Sequence, residues 1–237
     1  IDTNPAKWGF MPAGAVMFRD YGMDPLRSLY SGYKSLPGSD HTTLEELAGL
    51  HLKVDGNMLE AIGSSRNDLT QFRGRVSVKS RMEWDVVNNQ GFYLMRNNTH
   101  CVLAGHSARF SSAQGPFRIN IQSPALCSVA IVSLDNQSLG STSGNILITA
   151  CGRCENTGMQ FSDDRRTVGT KWGQAPVLIE TVEGTVAFPE TYGTGYTCKI
   201  LNPDGTVKTE IQVTDNTVPL KAEYGTMWYL IECKPTD

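Results

Sequence analysis

The sequence predicts an all-β protein: an antiparallel, jelly-roll-like β-sandwich with a short mixed N-terminal segment and a small C-terminal β unit. Three observations carry this. From about Gly74 the apolar period is two, most cleanly in Phe117-Arg118-Ile119-Asn120-Ile121-Gln122, which places apolar and polar residues on opposite strand faces. Turn residues recur about every ten positions, a spacing that suits a sandwich and not a helical fold. The segment Ser128–Gly158 reads as two buried strands, Val129–Leu134 and Asn145–Ala150, joined by a polar loop and followed by a Gly- and Asn-rich turn.

In chain order, residues 1–70 form the mixed segment. Met11–Phe18 is an apolar run, and Ser35–Asp40 is a Pro/Gly/Ser connector. Asp24-Pro25 has the form of a helix start, an acidic N-cap followed by Pro at the first position. Thr43-Leu44-Glu45-Glu46 matches a capping box leading into Leu47–Leu50, so a second short helix is expected there. Residues 71–182 form the sandwich, with strands at Arg75–Val78, Gly91–Arg96, Cys101–Gly105 and, after Pro176, Val177–Val182. Residues 183–237 form a small Ig-like unit of five strands: Gly184–Phe188, Tyr196–Leu201, Val207–Val213, Val218–Ala222 and Met227–Glu232. Asn202-Pro203-Asp204-Gly205 supplies a hairpin turn within it. So small a unit is expected to pack on the larger sandwich.

Composition narrows the function. A chain of 237 residues buries a full core. With 40% hydrophobic and 19% charged residues it is not a disordered segment. A net charge of −3 without any basic run argues against nucleic acid. A neutral polar ligand such as a sugar fits this balance. No apolar run reaches the roughly 18 residues of a membrane helix, so no membrane partner is expected. The opening Ile1-Asp2-Thr3-Asn4-Pro5 has no methionine and no leader pattern, and reads as a processed product or an excised fragment.

Of six cysteines, Cys101, Cys127, Cys198 and Cys233 sit inside apolar strand patterns and read as free core thiols, ahead of a disulfide framework. Cys151-Gly152-Arg153-Cys154 is a lone C-x-x-C. Zinc would need a second pair at matching spacing, and a redox motif would need a βαβ context. A turn disulfide or two inert thiols is the expectation. His41, His51, His100 and His106 are scattered, and no G-x-S-x-G elbow occurs.

Sugar binding needs flat aromatic faces and planar polar side chains. Trp172 lies in the polar, Gly-flanked Thr170-Lys171-Trp172-Gly173. Tyr192 and Tyr196 bracket Gly193-Thr194-Gly195. Trp84 lies between Glu83 and Asp85, and Tyr93 opens a strand. These five are the candidate carbohydrate platform, with Asn88, Asn89 and Arg96 as partners for hydroxyls. The competing role for each aromatic is filling a sheet interface, favoured for Trp84 and for Trp228 by their strand context. Glu83 with Asp85, Asp163 with Asp164, and Glu180 with Glu183 are carboxylate pairs. Neighbours in sequence rarely flank a glycosidic bond from opposite sides, so they read as solvated surface acids. Asp163-Asp164 and Asp135-Asn136 offer oxygens for a structural calcium, the one cofactor suggested.

Several segments together resemble the C-terminal β-sandwich accessory regions of large bacterial glycoside hydrolases. Arg81-Met82-Glu83-Trp84-Asp85 is similar to their opening strand. Ser133-Leu134-Asp135 with Ile146–Ala150 and Glu155-Asn156-Thr157-Gly158 is similar to their central pair. Trp172-Gly173-Gln174-Ala175-Pro176 with Glu180 resembles the strand that follows, and Thr226–Ile231 the closing strand. Asn4–Ala13 resembles the linker that leaves a catalytic (β/α)-barrel; Cys151 and Cys154 depart from the pattern. In that family the catalytic acid and nucleophile come from the barrel, and no position here matches them. The resemblance thus implies a non-catalytic module of a secreted, periplasmic or cell-surface polysaccharide hydrolase. Its implied partners are plant-type polysaccharide and the catalytic domain of the same polypeptide. A structural buttress without ligand is the second expectation, and a glycan-active enzyme with an all-β site the third.

Overall fold

The computed structural model describes residues 50–55, 58–64, 71–75, 81–87, 90–112, 117–139, 144–163, 167–192 and 196–233. The helix starts expected at Asp24-Pro25 and Thr43–Glu46 lie outside them. Among the described residues the protein is all-β. The chain passes through β1 (Leu50–Asp55), β2 (Met58–Ser64), β3 (Gln71–Arg75), β4 (Arg81–Val87), β5 (Gln90–Arg96) and β6 (His100–His106). A 3-10 turn at Ser107–Ser112 leads to β7 (Arg118–Ser123), then β8 (Leu126–Ser133) and β9 (Gly144–Cys151). There follow β10 (Cys154–Thr157), β11 (Gln174–Ile179), β12 (Glu183–Ala187), β13 (Tyr196–Leu201), β14 (Val207–Val213), β15 (Thr217–Leu220) and β16 (Trp228–Cys233).

Two sheets form an antiparallel β-sandwich. The large sheet has the order β14-β13-β16-β9-β8-β6-β5-β4-β1-β2-β3, and the small one β15-β12-β7. The chain leaves the large sheet to supply β7, β12 and β15 in turn and comes back each time, so the two layers are interleaved. Register explains the core. Cys101, Ile131, Ile148, Tyr229 and Ile200 are opposed in sequence across five strands, forming one inward row that is almost fully buried. Ile119, Val186 and Val218 form the matching row of the small sheet. Burying each such side chain is worth about 1.5–3 kcal/mol. The strand β7 shows why Arg-Ile-Asn-Ile-Gln-Ser folds as it does: Arg118, Asn120 and Gln122 are exposed, while Ile119 is buried and Ile121 packs against the core. The strands β6 and β8 instead bury consecutive residues, Cys101–Gly105 and Cys127–Ile131, because both of their faces are covered. Their sequences are accordingly near-continuous apolar runs.

An aromatic cluster closes one end of the core. Phe188 packs edge-on against Phe117, with centroids 5.0 Å apart, and against Tyr192 at 5.1 Å; Tyr196 lies 5.5 Å away. Such pairs add about 0.5–1.5 kcal/mol each beyond area burial.

Two expectations change. Residues 50–64, expected in the mixed segment ahead of the period-two region, are the hairpin β1–β2. Leu50-His51-Leu52-Lys53-Val54 alternates, and Asp55-Gly56-Asn57 carries turn chemistry, so period two begins earlier than Gly74. Cys154–Thr157, expected in a turn, is a strand. Across residue 183 strand pairing is continuous: β12 joins β7 and β16 joins β9. No described helix is long and apolar enough to cross a membrane.

Candidate ligand platform on a two-stranded ribbon

The strands β10 and β11 form a two-stranded sheet of their own, paired only with each other. Their root is a swap of partners. Where β9 ends, Gly152 N–H donates to the Glu180 carbonyl (2.8 Å) and Glu180 N–H donates to the Arg153 carbonyl (2.7 Å). Two residues thus face one, in the manner of a β-bulge, which bends a strand and re-aims it. The Glu180 carboxylate fastens this corner. It accepts from Arg153 N–H (3.1 Å), Nε (3.0 Å) and Nη2 (3.0 Å), and this bonding raises the Arg153 pKa. A Cβ on Gly152 would lie 2.8 Å from Glu180 Oε2 and 2.9 Å from Pro124 Cγ, so only glycine passes here unhindered.

This corner disposes of the C-x-x-C. Cys151 ends β9 and Cys154 begins β10 along an extended, bulged path, not within a turn, and both are free thiols, as are Cys101, Cys127 and Cys198. Of the two expectations for this motif, a turn disulfide or two inert thiols, the structure shows the free thiols. Burial pushes Cys151 up to about 11, and Cys101, Cys127 and Cys198 up to about 12. These groups are protonated and unreactive at neutral pH.

At the far end of the ribbon the chain turns back through Trp172, whose indole is exposed (58% for the residue). Its backbone is held on every side. Asn156 Nδ2 donates to the Trp172 carbonyl (2.9 Å), Lys171 N–H to the Val168 carbonyl (2.8 Å), and Gln160 N–H to the Lys171 carbonyl (3.1 Å). Gly173 follows at φ +68°, where a Cβ would meet Thr157 O at 2.5 Å and Met159 N at 2.6 Å. Thr157 Oγ1 donates to the Pro176 carbonyl (2.8 Å). All of β11 is exposed, Val177, Leu178 and Ile179 included. At its foot, Ile179, Thr181, Pro203, Gly225, Thr226, Met227 and Trp228 line an apolar hollow of about 100 Å³. That is room for one aliphatic side chain.

The remaining candidates are dispersed. Tyr192 and Tyr196 are corrected from loop residues to core residues. Each is 5% exposed, and the Tyr192 hydroxyl donates to the Leu139 carbonyl. Their rings are consumed by the cluster around Phe188 and offer no face to a ligand. Trp84 and Tyr93 are register partners on β4 and β5, and Tyr93 is in turn opposite Ala104. Arg96 is half-buried at the end of β5, opposite Cys101. Asn88 and Asn89 lie outside the described residues. Trp228 is half-buried at the hollow.

Of the acids, Glu180 is taken up by Arg153, and Glu183 accepts from Ser123 Oγ (3.1 Å). Asp135 accepts from Ser133 Oγ (3.0 Å), Gln137 N–H (3.3 Å) and Asn145 N–H (2.8 Å), which organises the β8–β9 loop. The Asn145 bond leads in holding its carboxyl below the usual range. Asp163 is exposed, and Asp164 lies outside the described residues. Among the described residues, no three His, Cys, Asp or Glu side chains gather as a metal site. The sequence reading missed the Glu180–Arg153 corner and the hollow, because both join residues distant in the chain.

The fold defines the class as an antiparallel β-sandwich bearing a two-stranded ribbon. No protein family, curated protein or solved structure matches the chain.

Proposed function

We propose that this chain is a non-catalytic accessory module of a secreted, periplasmic or cell-surface glycoside hydrolase, and that it holds plant-type polysaccharide by stacking a sugar ring on Trp172. The observation that supports the reading is an exposed indole on an immobilised backbone. Large aromatics that merely complete a fold are buried, as Phe188 and Tyr192 are here. An aromatic fixed in position and left open to solvent loses little further freedom when a ligand arrives. Affinity electrophoresis in gels containing cellulose derivatives, xylan, xyloglucan, β-glucan, mannan, pectin or agarose tests it. Retardation by one polymer is expected, and Trp172→Ala is expected to weaken it about tenfold or more without unfolding the protein. Retention that is unchanged in the variant would remove Trp172 from the site.

A second reading has its own support, the exposed apolar run Val177-Leu178-Ile179 beside the hollow. In this reading the ribbon packs on the catalytic domain of the same polypeptide as a buttress. No retardation on any polymer, together with self-association of the isolated chain that Leu178→Asp abolishes, is the outcome that favours it.

A further inference from the structure

We infer that Asn156 is a positioning residue for Trp172, setting ligand affinity by holding the platform still; this rests on the reading of Trp172 as the platform. Asn156 is half-buried on β10, opposite Val177, and sixteen residues from Trp172 in sequence. Its side-chain amide reaches across the ribbon to the one carbonyl between the indole and Gly173. The neighbours of Trp172 are restrained through the backbone: Lys171 is held through its N–H and its carbonyl, and Gly173 sits where no Cβ fits; side chains act further back, where Thr167 Oγ1 accepts from Gly169 N–H. The Asn156 amide thus ties the Trp172 carbonyl to the opposite strand through a side chain. Removing it leaves the strands paired and loosens the Trp172 peptide within the turn. An exposed ring on a loosened turn must be ordered again at each binding event, and affinity falls by that cost. A neutral hydrogen bond of this kind corresponds to a loss of about two- to tenfold.

The test uses Asn156→Ala and Asn156→Asp beside Trp172→Ala, on the whole chain. Asparagine and aspartate have nearly the same shape, but the carboxylate has no N–H to donate. Two readouts are taken: gel retention on the retarding polysaccharide, and the rate of trypsin cleavage at the Lys171–Trp172 bond, followed by mass spectrometry. The second readout needs no ligand. Both Asn156 variants are expected to lose about two- to tenfold in retention and to be cut faster at Lys171 by a similar factor, with an unchanged thermal midpoint. Loss of retention in Trp172→Ala, with wild-type retention and wild-type cleavage in both Asn156 variants, would overturn the positioning role alone. Wild-type retention in Trp172→Ala would overturn the platform itself. A fall in thermal midpoint that accounts for the lost retention would make Asn156 a fold residue and also overturn the inference.

Discussion

The strands β9 and β11 are close in composition and opposite in fate. Asn145-Ile146-Leu147-Ile148-Thr149-Ala150 buries Ile146, Ile148 and Ala150 under the small sheet. Ala175-Pro176-Val177-Leu178-Ile179 is as apolar and is exposed throughout. The difference does not lie in the strands. It lies in whether a second layer is stacked on them. A single sheet leaves both faces of its strands open, and two strands alone gain little by folding. The ribbon therefore depends on the corner that anchors it, whereas the body depends on its core.

The largest effects are expected in the body. Phe188→Ala empties the centre of the aromatic cluster and should cost about 3–5 kcal/mol in urea unfolding. Ile148→Ala, in the middle of the inward row, should cost about 2–5 kcal/mol in the same assay. A cost below about 1 kcal/mol for either would mean that the core is placed wrongly. Gly173→Ala acts on the ribbon. Its Cβ meets backbone atoms at 2.5 and 2.6 Å, a local strain of about 1–3 kcal/mol. Faster amide exchange at 156–160 and 171–175 should follow, with exchange in β6 and β8 unchanged. Spread of the effect into those strands would erase the distinction between the two regions.

Smaller still is the pH dependence of Asp135. Its folded pKa is depressed, chiefly by the Asn145 N–H, below the ordinary 3.8. Its stabilising contribution is thus present above that unfolded value and is lost as pH falls through the lower folded one. Asp135→Asn should lower the thermal midpoint at pH 6 and converge with wild type near pH 2. A gap that stays constant with pH would show that the charge is not what holds the loop. Least affected should be Leu178→Ala, within about 0.5 kcal/mol of wild type, since the side chain is already exposed.

The sequence revealed whatever was local. Tyr196–Leu201 and Val207–Val213 are strands at the expected residues, and the Asn202–Gly205 turn joins them, with Thr206 N–H and Oγ1 both donating to Asp204. Alternation and turn chemistry act over a few residues, so a window of that size finds them. What escaped was set by distant partners. Tyr192 and Tyr196 look like loop residues because Gly193-Thr194-Gly195 separates them. Tyr192 is buried because Phe117, more than seventy positions earlier, comes to meet it, and Tyr196 joins the same cluster through Phe188. Val177–Ile179 looks like a core strand because nothing in its own composition says that no layer covers it. Trp172 was legible as an exposed aromatic from its Gly and Lys neighbours. The Asn156 bond that fixes it was not, since Asn156 lies on β10 and Trp172 sixteen residues on, in the turn before β11.

The position of β16 has a consequence for biosynthesis. Trp228–Cys233 is the last described strand in the chain, yet it lies between β13 and β9 and is the only link between the β13–β14 pair and the rest of the large sheet. A ribosome delivers the chain from its N-terminal side. While residues before 228 are emerging, β9 and β13 each present an edge with no neighbour, and Ile148 and Ile200 wait for the Tyr229 that will sit between them. The nascent protein holds both edges open until β16 leaves the exit tunnel. Emergence of that strand is the step that joins the β13–β14 pair to β9.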